Sequence, residues 1–432
     1  MEFKKIKNLE NLIQNDLRKN ALIIVEEGLQ AIDTSRIIYN NLKLENNILK
    51  INNLEFNILD FEKIIVCGIG KCALEAAKAT EEILGNYITD GIVLYVGQND
   101  INLNKIEKIK GTHPYPSEIN ILATKKIIQK LSNLTEKDLV IFLISGGGST
   151  LLCLPKNENA GLEMEIFQTL TKNGADIIEL NTLRKHLSLA RGGFLAKYIY
   201  PAKGVSLIFS DVLNNDISFV SSGPTVKDKT TINDALEIIK KYNLENFFKI
   251  NNIELIETPK DDIYFNNFYN FLVASNEIAL KAMKIKAENL GFKAKILNTA
   301  LSGEARKVAL NILNDLRKED SKTILLYGGE TTVTIKGHGR GGRNLELVLA
   351  AAFNISDDEL IISFDSDGRD NGDFAGAIAD KITRDLVYQN LEESKIYFEN
   401  NEEYPLFEKI GNYIYTGNTG SNVSDLILAI KN

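Results

Sequence analysis

Three glycine loops, each at the end of an apolar or β-branched run, carry the side chains best suited to hold an anion. In IIVCGIGKCALEAAKA, Gly68 and Gly70 close a strand-like run and Lys71 opens a small-residue helix. Glycines let backbone approach a ligand, and the lysine adds a point charge for phosphate or carboxylate. The loop is not a Walker A motif: Ile65 stands five before Gly70, and Cys72 replaces the Ser or Thr that would hold magnesium. It fits G-x-G-x-x-A, a dinucleotide fingerprint variant, but no acidic residue closes the next strand at Val96. In LVIFLISGGGSTLL, Ser145, Gly146, Gly147, Gly148, Ser149 and Thr150 form a nest whose N–H groups could cradle an oxyanion or phosphate. In ILLYGGETTVTIKGHGRGGRNLEL, Gly328 and Gly329 lead into Glu330, and a second glycine run carries Arg340 and Arg343. Arginines on such a loop suit the charge of a transferring phosphoryl group.

Magnesium takes a few carboxylates together with phosphate oxygens and water. Asp211, just past an apolar run, and Asp367, in the cluster SDGRDNGD, are the candidates. Acidic turn residues also serve simply as helix caps. NTLRKHLSLARGGFLAKYI reads as a helix from about Thr182 capped by Asn181, with Arg184, Ser188 and Arg191 on one face. That face could receive an anion or simply be solvated. The three histidines, His113, His186 and His338, lack metal-ligand spacing, and no G-x-S-x-G elbow supports a serine triad. His113, in THPYPSE, either lines a cleft or is structural.

Strands and helices must alternate to bring these loops together. Runs at Lys63 to Cys67, Gly91 to Val96, Leu139 to Ile144 and Val205 to Phe209 are separated by helical stretches, which predicts a parallel α/β sheet. The first residues, Asn8 to about Tyr39, read as one or two helices. A polar, acidic segment around Asn251 to Tyr264 marks a junction, giving an N-terminal α/β domain over 1–250 and a second over 265–432. Strands are expected in the second near Phe271 to Ala274, Lys293 to Leu297, Thr323 to Tyr327, Thr331 to Lys336, Leu360 to Phe364 and Tyr413 to Tyr415.

At 432 residues the chain suits two domains, and 44% hydrophobic with 25% charged residues is ordinary for a globular protein. A net charge of -8 opposes a broad nucleic-acid surface. Three cysteines, two of them in apolar runs, form no paired framework and suit a reducing compartment. No signal-like or membrane-spanning apolar stretch is present, so the expected location is the cytoplasm.

Taken in order, VCGIGKCALEAAKA, THPYPSE, SGGGST, NTLRKHLSLARGGFLA, SDVLNNDISFVSSGPT, GGETTVTIKGHGRGGRNLEL, SDGRDNGDFAGAIAD and TGNTGSNVSDL resemble the motifs of class II glycerate kinases. This is the glycerate 2-kinase family with a C-terminal MOFRL domain. The resemblance implies ATP-dependent phosphorylation of D-glycerate at O2 to 2-phosphoglycerate, with magnesium. It implies a Rossmann-like N-terminal domain with a parallel sheet, a mixed-sheet MOFRL-type domain and an active site in the cleft between them. It places the catalytic basic residues on Lys71 and Arg343, and it admits a homodimer. The chain departs from the family pattern at Leu345, where Gln is common, in the shortened DGRDNGD, and in TGNTGSNVSD. The rival readings are an NAD(P)-dependent hydroxypyruvate reductase and a non-catalytic binder of a phosphorylated acid.

Overall fold

The run DLVIFLIS forms the strand Asp138–Ser145, buried at every residue, as a strand covered on both faces of a parallel sheet must be. In the computed structural model, which describes residues 4–97, 101–212 and 215–432, the chain divides into two units. One spans 37–273; the other joins 1–36 to 274–432.

The first unit begins with an antiparallel meander of β1 (Leu42–Glu45), β2 (Ile48–Ile51) and β3 (Leu54–Asn57). Its main sheet contains β4 (Lys63–Gly70), β5 (Asp90–Tyr95), β6 (Glu107–Lys110), β7 (Asp138–Ser145), β8 (Lys203–Phe209) and β9 (Phe268–Ala274). The order is β6-β5-β4-β7-β8-β9, and β4 to β8 pair in parallel throughout. Counted from β4, this is the 3-2-1-4-5-6 order of a doubly wound dinucleotide-type sheet, with its switch point between β4 and β7. One core packs Ile65, Cys67, Val140 and Phe142 against Ala123 and Ile127 of the helix Glu118–Leu131. Residues alternating with these strand positions, such as Val66 and Ile141, are buried as well.

The second unit has a mixed sheet of β10 (Lys293–Leu301), β11 (Thr323–Gly329), β12 (Glu359–Asp365), β13 (Gly376–Ala379), β14 (Tyr413–Ile414) and β15 (Asp425–Lys431), in the order β10-β11-β15-β12-β13-β14. Only β10 and β11 are parallel; β15 runs antiparallel to both β11 and β12. The helices Ala305–Arg317 and Arg343–Ala352 bury Ile312, Leu345 and Leu349 in its core.

Four sequence expectations change. The first 36 residues group with the C-terminal unit and not with a domain over 1–250. Packing and a buried polar lock join them: Gly28 of the helix Asp16–Ala31 lies against Met283, and Arg18 of that helix donates from Nε and Nη2 to the two Asp380 carboxylate oxygens, at 2.8 and 2.7 Å, and to Asn412 and Thr383. Residues 331–336 form no strand, because Glu304 takes the Thr334 amide and hydroxyl and only an isolated bridge pairs Thr332 with Glu304. The strand expected near Tyr413 is present as β14 at the sheet's edge, but it is not the last: β15, which was not expected, follows it and lies in the sheet's interior. The helix expected from Thr182 runs over Ile177–Leu187 and is capped by Asp176 in a reciprocal capping box with Glu179, not by Asn181.

Candidate active site

In the unit spanning 37–273, the loops after β4 and β7 are bonded together at the switch point. The Lys71 amide donates to the Gly146 carbonyl at 2.9 Å, and the Cys72 amide to Ser145 Oγ at 3.0 Å. Gly70 has φ of 118°, in the left-handed region, and a β-carbon there would overlap Ser145. At Gly146 a side chain would displace the Asp211 carboxylate, which lies against the loop. Ser221 Oγ donates to the Ser145 carbonyl at 2.7 Å, and Ser222 Oγ lies 2.9 Å from Ser149 Oγ and donates to Asn181. The segment containing SSGPT thus backs the glycine loop.

Around the front stand Lys71, His113 and Arg184. A β-carbon at Gly147 would sit 3.3 Å from Lys71 Cγ and 3.5 Å from His113 Cδ2. Neither Lys71 nor Arg184 has a carboxylate within ion-pair distance among the described residues. Partial desolvation, then the charges of Lys71 and Arg184, lower the His113 pKa, so the imidazole is neutral at pH 7. Desolvation and the neighbouring Arg191 bring Arg184 down to about 10, still charged at neutral pH. Two partly buried basic side chains beside a glycine turn, with Glu163 near Arg184 but no carboxylate within ion-pair distance of either, are chemistry suited to an anion.

In the other unit, Arg343 opens the helix Arg343–Ala352 and is ringed by acids. Its Nε donates to Asp425 Oδ2 at 2.6 Å, and Nη2 donates to Asp425 Oδ1 at 3.0 Å and Asp365 Oδ2 at 2.9 Å. Glu330 approaches Nη2 at 2.8 Å. Asn344 also donates to Asp425 at 2.9 Å. Burial pushes Asp425 up to about 7 despite the bonds from Arg343, and burial with the nearby Asp425 and Asp367 charges raises Asp365. One guanidinium cannot neutralise both buried acids. A cavity of about 490 Å³ opens here, lined by Arg343, Asp365, Asp370, Thr331 and Glu403.

The sequence-selected residues divide accordingly. Lys71, Gly70, Ser145, Gly146, Gly147, Gly148, Ser149, Arg184 and Asp211 belong to the first unit; Glu330, Arg343 and Asp367 to the second. Gly68 lies within β4, close to Val93 and Ala73, where it packs the sheet and has no ligand-facing position. Ser145 is buried, and its hydroxyl pins the two loops. Arg191 leaves the shared face with Arg184: it lies beyond the helix, fully buried, and bonds Glu163 at 2.6 Å. Arg340 stacks 3.8 Å over the Tyr404 ring. Leu345 is wholly buried, so the departure there changes core packing. Asp367 caps its own turn, accepting from the Arg369 amide at 2.8 Å. His186 is structural, bonded to the Ile256 carbonyl and Thr230. Sequence reasoning did not select Asp425, Asp365 as an arginine partner, Ser221, Ser222 or Glu403. Asp425 does close the TGNTGSNVSD motif, the one signal that could have drawn it in.

Fold and site define an α/β protein with a doubly wound sheet whose switch point carries two glycine loops and Lys71, and a mixed sheet bearing an acid-ringed arginine. The family described as a domain of unknown function, DUF4147, matches residues 20–256, and the MOFRL family matches residues 323–425. The chain is 38% identical to a glycerate 2-kinase of Pyrococcus horikoshii, with 97% of this chain and 98% of that one covered, and 35% identical to a D-glycerate 2-kinase of Thermotoga maritima, with 96% and 98% covered. It belongs to the glycerate 2-kinase family, with DUF4147 in its first part and MOFRL in its second. The crystal structure of a glycerate kinase from Thermotoga maritima superposes with a TM-score of 0.85 at 32% identity, over 96% of this chain and 99% of that one.

Proposed function

We propose that the chain is an ATP-dependent glycerate 2-kinase. The D-glycerate O2 hydroxyl attacks the γ-phosphorus of ATP, the bond to the β-phosphate oxygen breaks, ADP leaves, and the hydroxyl proton is released. The observation that carries the anion-handling half of this reading is the pair of unpaired cations, Lys71 and Arg184, beside the Gly146–Gly147 turn. Phosphoryl transfer demands positioning and charge neutralisation more than covalent chemistry, and these groups supply both. Lys71 is assigned to the migrating phosphoryl group, and the turn with Ser149 to an anionic part of the bound molecules. Arg343 is the second catalytic cation. Its carboxylate cage holds the planar head in one orientation, which suits recognition of phosphate oxygens.

Magnesium fits this donor set as a nucleotide-borne ion. Among the described residues no three metal-ligating side chains cluster, whereas magnesium needs only one or two carboxylates when phosphates and water complete its shell. Asp211, against the glycine turn, is the carboxylate best placed in its unit, and Asp367 is the candidate in the other. When bound, the ion neutralises phosphate charge. No helix among the described residues is long and apolar enough to cross a membrane, and the three cysteines are buried and unpaired, which suits the cytoplasm. A homodimer is the assembly to check by sizing.

Incubation with ATP, magnesium and D-glycerate, coupled to enolase without phosphoglycerate mutase, is expected to give signal from 2-phosphoglycerate. Signal that requires the mutase would move the phosphate to O3; NADH oxidation with hydroxypyruvate and no kinase signal would favour the reductase. β5 ends at Tyr95 without the acid that binds a ribose in dinucleotide sites, which weighs against that reductase. Lys71→Ala and Arg343→Ala should each cut kcat by about 100-fold or more. Near-normal turnover in both variants would remove these two residues from the mechanism.

A further inference from the structure

Beside the anion site, the unit spanning 37–273 has a cavity of about 400 Å³ that the reaction described above does not use. Tyr115, Pro116, Thr150, Met164, Phe167 and Arg184 line it. Phe167 projects from the helix Ala160–Lys172, and the Arg184 guanidinium carbon lies 4.6 Å from the centre of its ring. Tyr115 is 53% exposed. Thr150 is the last residue of the SGGGST loop, and its hydroxyl donates to the Pro114 carbonyl at 3.2 Å, so the cavity begins where the anion loop ends.

We propose that this cavity is the nucleobase subsite of the phosphoryl donor, with the base stacked on the Arg184–Phe167 pair and the phosphates running along the SGGGST loop. The assignment rests on the kinase reading for the phosphates and goes beyond it for the base. Three observations carry it. A three-carbon hydroxy acid would fill a small fraction of the volume, whereas a nucleoside suits a pocket of this size. The lining offers aromatic and apolar faces, which a planar heterocycle can use and a small polar acid cannot. A guanidinium already lying on one ring has a second flat face for another, the geometry by which arginine and aromatic side chains hold bases without reading their sequence. The cavity at Arg343 in the other unit has no aromatic residue among the described residues that line it, and three acids, Asp365, Asp370 and Glu403, where this one has Glu163 alone, which makes it the poorer seat for a base.

Calorimetric titration of the full chain with ADP and, separately, with inorganic tripolyphosphate tests the assignment. Phe167→Leu keeps apolar volume but removes the ring, and Tyr115→Ala alters an exposed side chain that the core does not need. Phe167→Leu removes the ring that holds the Arg184 guanidinium flat for the base, so it should raise the ADP Kd about tenfold, with a smaller rise for Tyr115→Ala, while the tripolyphosphate Kd stays within about twofold. Equal losses for both ligands, or unchanged ADP binding with a raised KM for D-glycerate, would overturn the subsite. If Phe167→Leu binds neither ligand, Tyr115→Ala decides by the same comparison. A wild-type chain that binds ADP yet phosphorylates no acid would refute the kinase reading and leave the ADP titration to decide the subsite.

Discussion

Glu403 is fully buried, and neither carboxylate oxygen accepts a hydrogen bond from another described residue. It lies under the glycine loop, where a β-carbon on Gly341 would overlap it. Burial raises its pKa to about 8, with Glu346 and Asp370 adding to the shift. The raised value means that the folded chain binds this proton more tightly than the unfolded chain. Its contribution to stability is therefore complete below the ordinary carboxylate pKa and is lost as pH rises to about 8. Glu403→Gln cannot ionise, so it should gain on wild type between pH 5 and pH 9, by roughly 4 kcal/mol over that range. Denaturant unfolding of both proteins at the two pH values checks this; parallel stability curves would show that Glu403 does not titrate there. Lys71 and Arg343 stand out in the sequence as anion-binding candidates because each sits in a glycine motif, and the family resemblance alone gives them a catalytic role. Glu403 was not, because what makes it unusual is the absence of a partner in a fold that brings residue 341 onto it.

The loops after β4 and β7 illustrate how an element positions a site. Each motif was legible alone as strand, glycines and helix, and so was the parallel sheet, from apolar runs such as DLVIFLIS. Their mutual clasp was not, since residues 70 and 145 meet only through the parallel pairing of β4 with β7. Gly70→Ala puts a side chain into a left-handed conformation and against Ser145, so the loops must part. The expected cost is about 2–4 kcal/mol of stability with a drop in turnover, read from the unfolding midpoint and the enolase-coupled rate. Unchanged values for both would mean that the clasp is dispensable. The missed β15 has a different cause: DLILAIK follows a glycine-rich loop at the end of the chain, and nothing local indicates that it pairs between β11 and β12. The segment 331–336 shows the converse, alternating residues that find no sheet neighbour.

Across the whole molecule, Arg18 is a buried polar tie between the first helices and the C-terminal part of their unit. The guanidinium is fully buried and Asp380 nearly so. Although burial opposes it, the bonds and charge of Arg18 hold the Asp380 carboxyl below its ordinary range, so this contribution is present at neutral pH and fades as pH falls through the lowered value. Arg18→Met leaves a buried carboxylate uncompensated and should destabilise this unit by about 3–5 kcal/mol, whereas Arg18→Met with Asp380→Leu should recover most of the loss. Chemical denaturation of the two variants decides; equal losses would point to packing in place of charge. The placement of β15 has a further consequence for biosynthesis. The strands of the sheet in the unit spanning 37–273 are all made before the strands of the mixed sheet, so its pairing needs nothing translated later. The mixed sheet differs, because β11 and β12 have no shared neighbour until residues 425–431 have been made. Arg18 must wait for Asp380, translated 362 residues after it. Until β15 is made, the edges of β11 and β12 that it pairs lack their partner, and an unpaired strand edge is a template for wrong pairing.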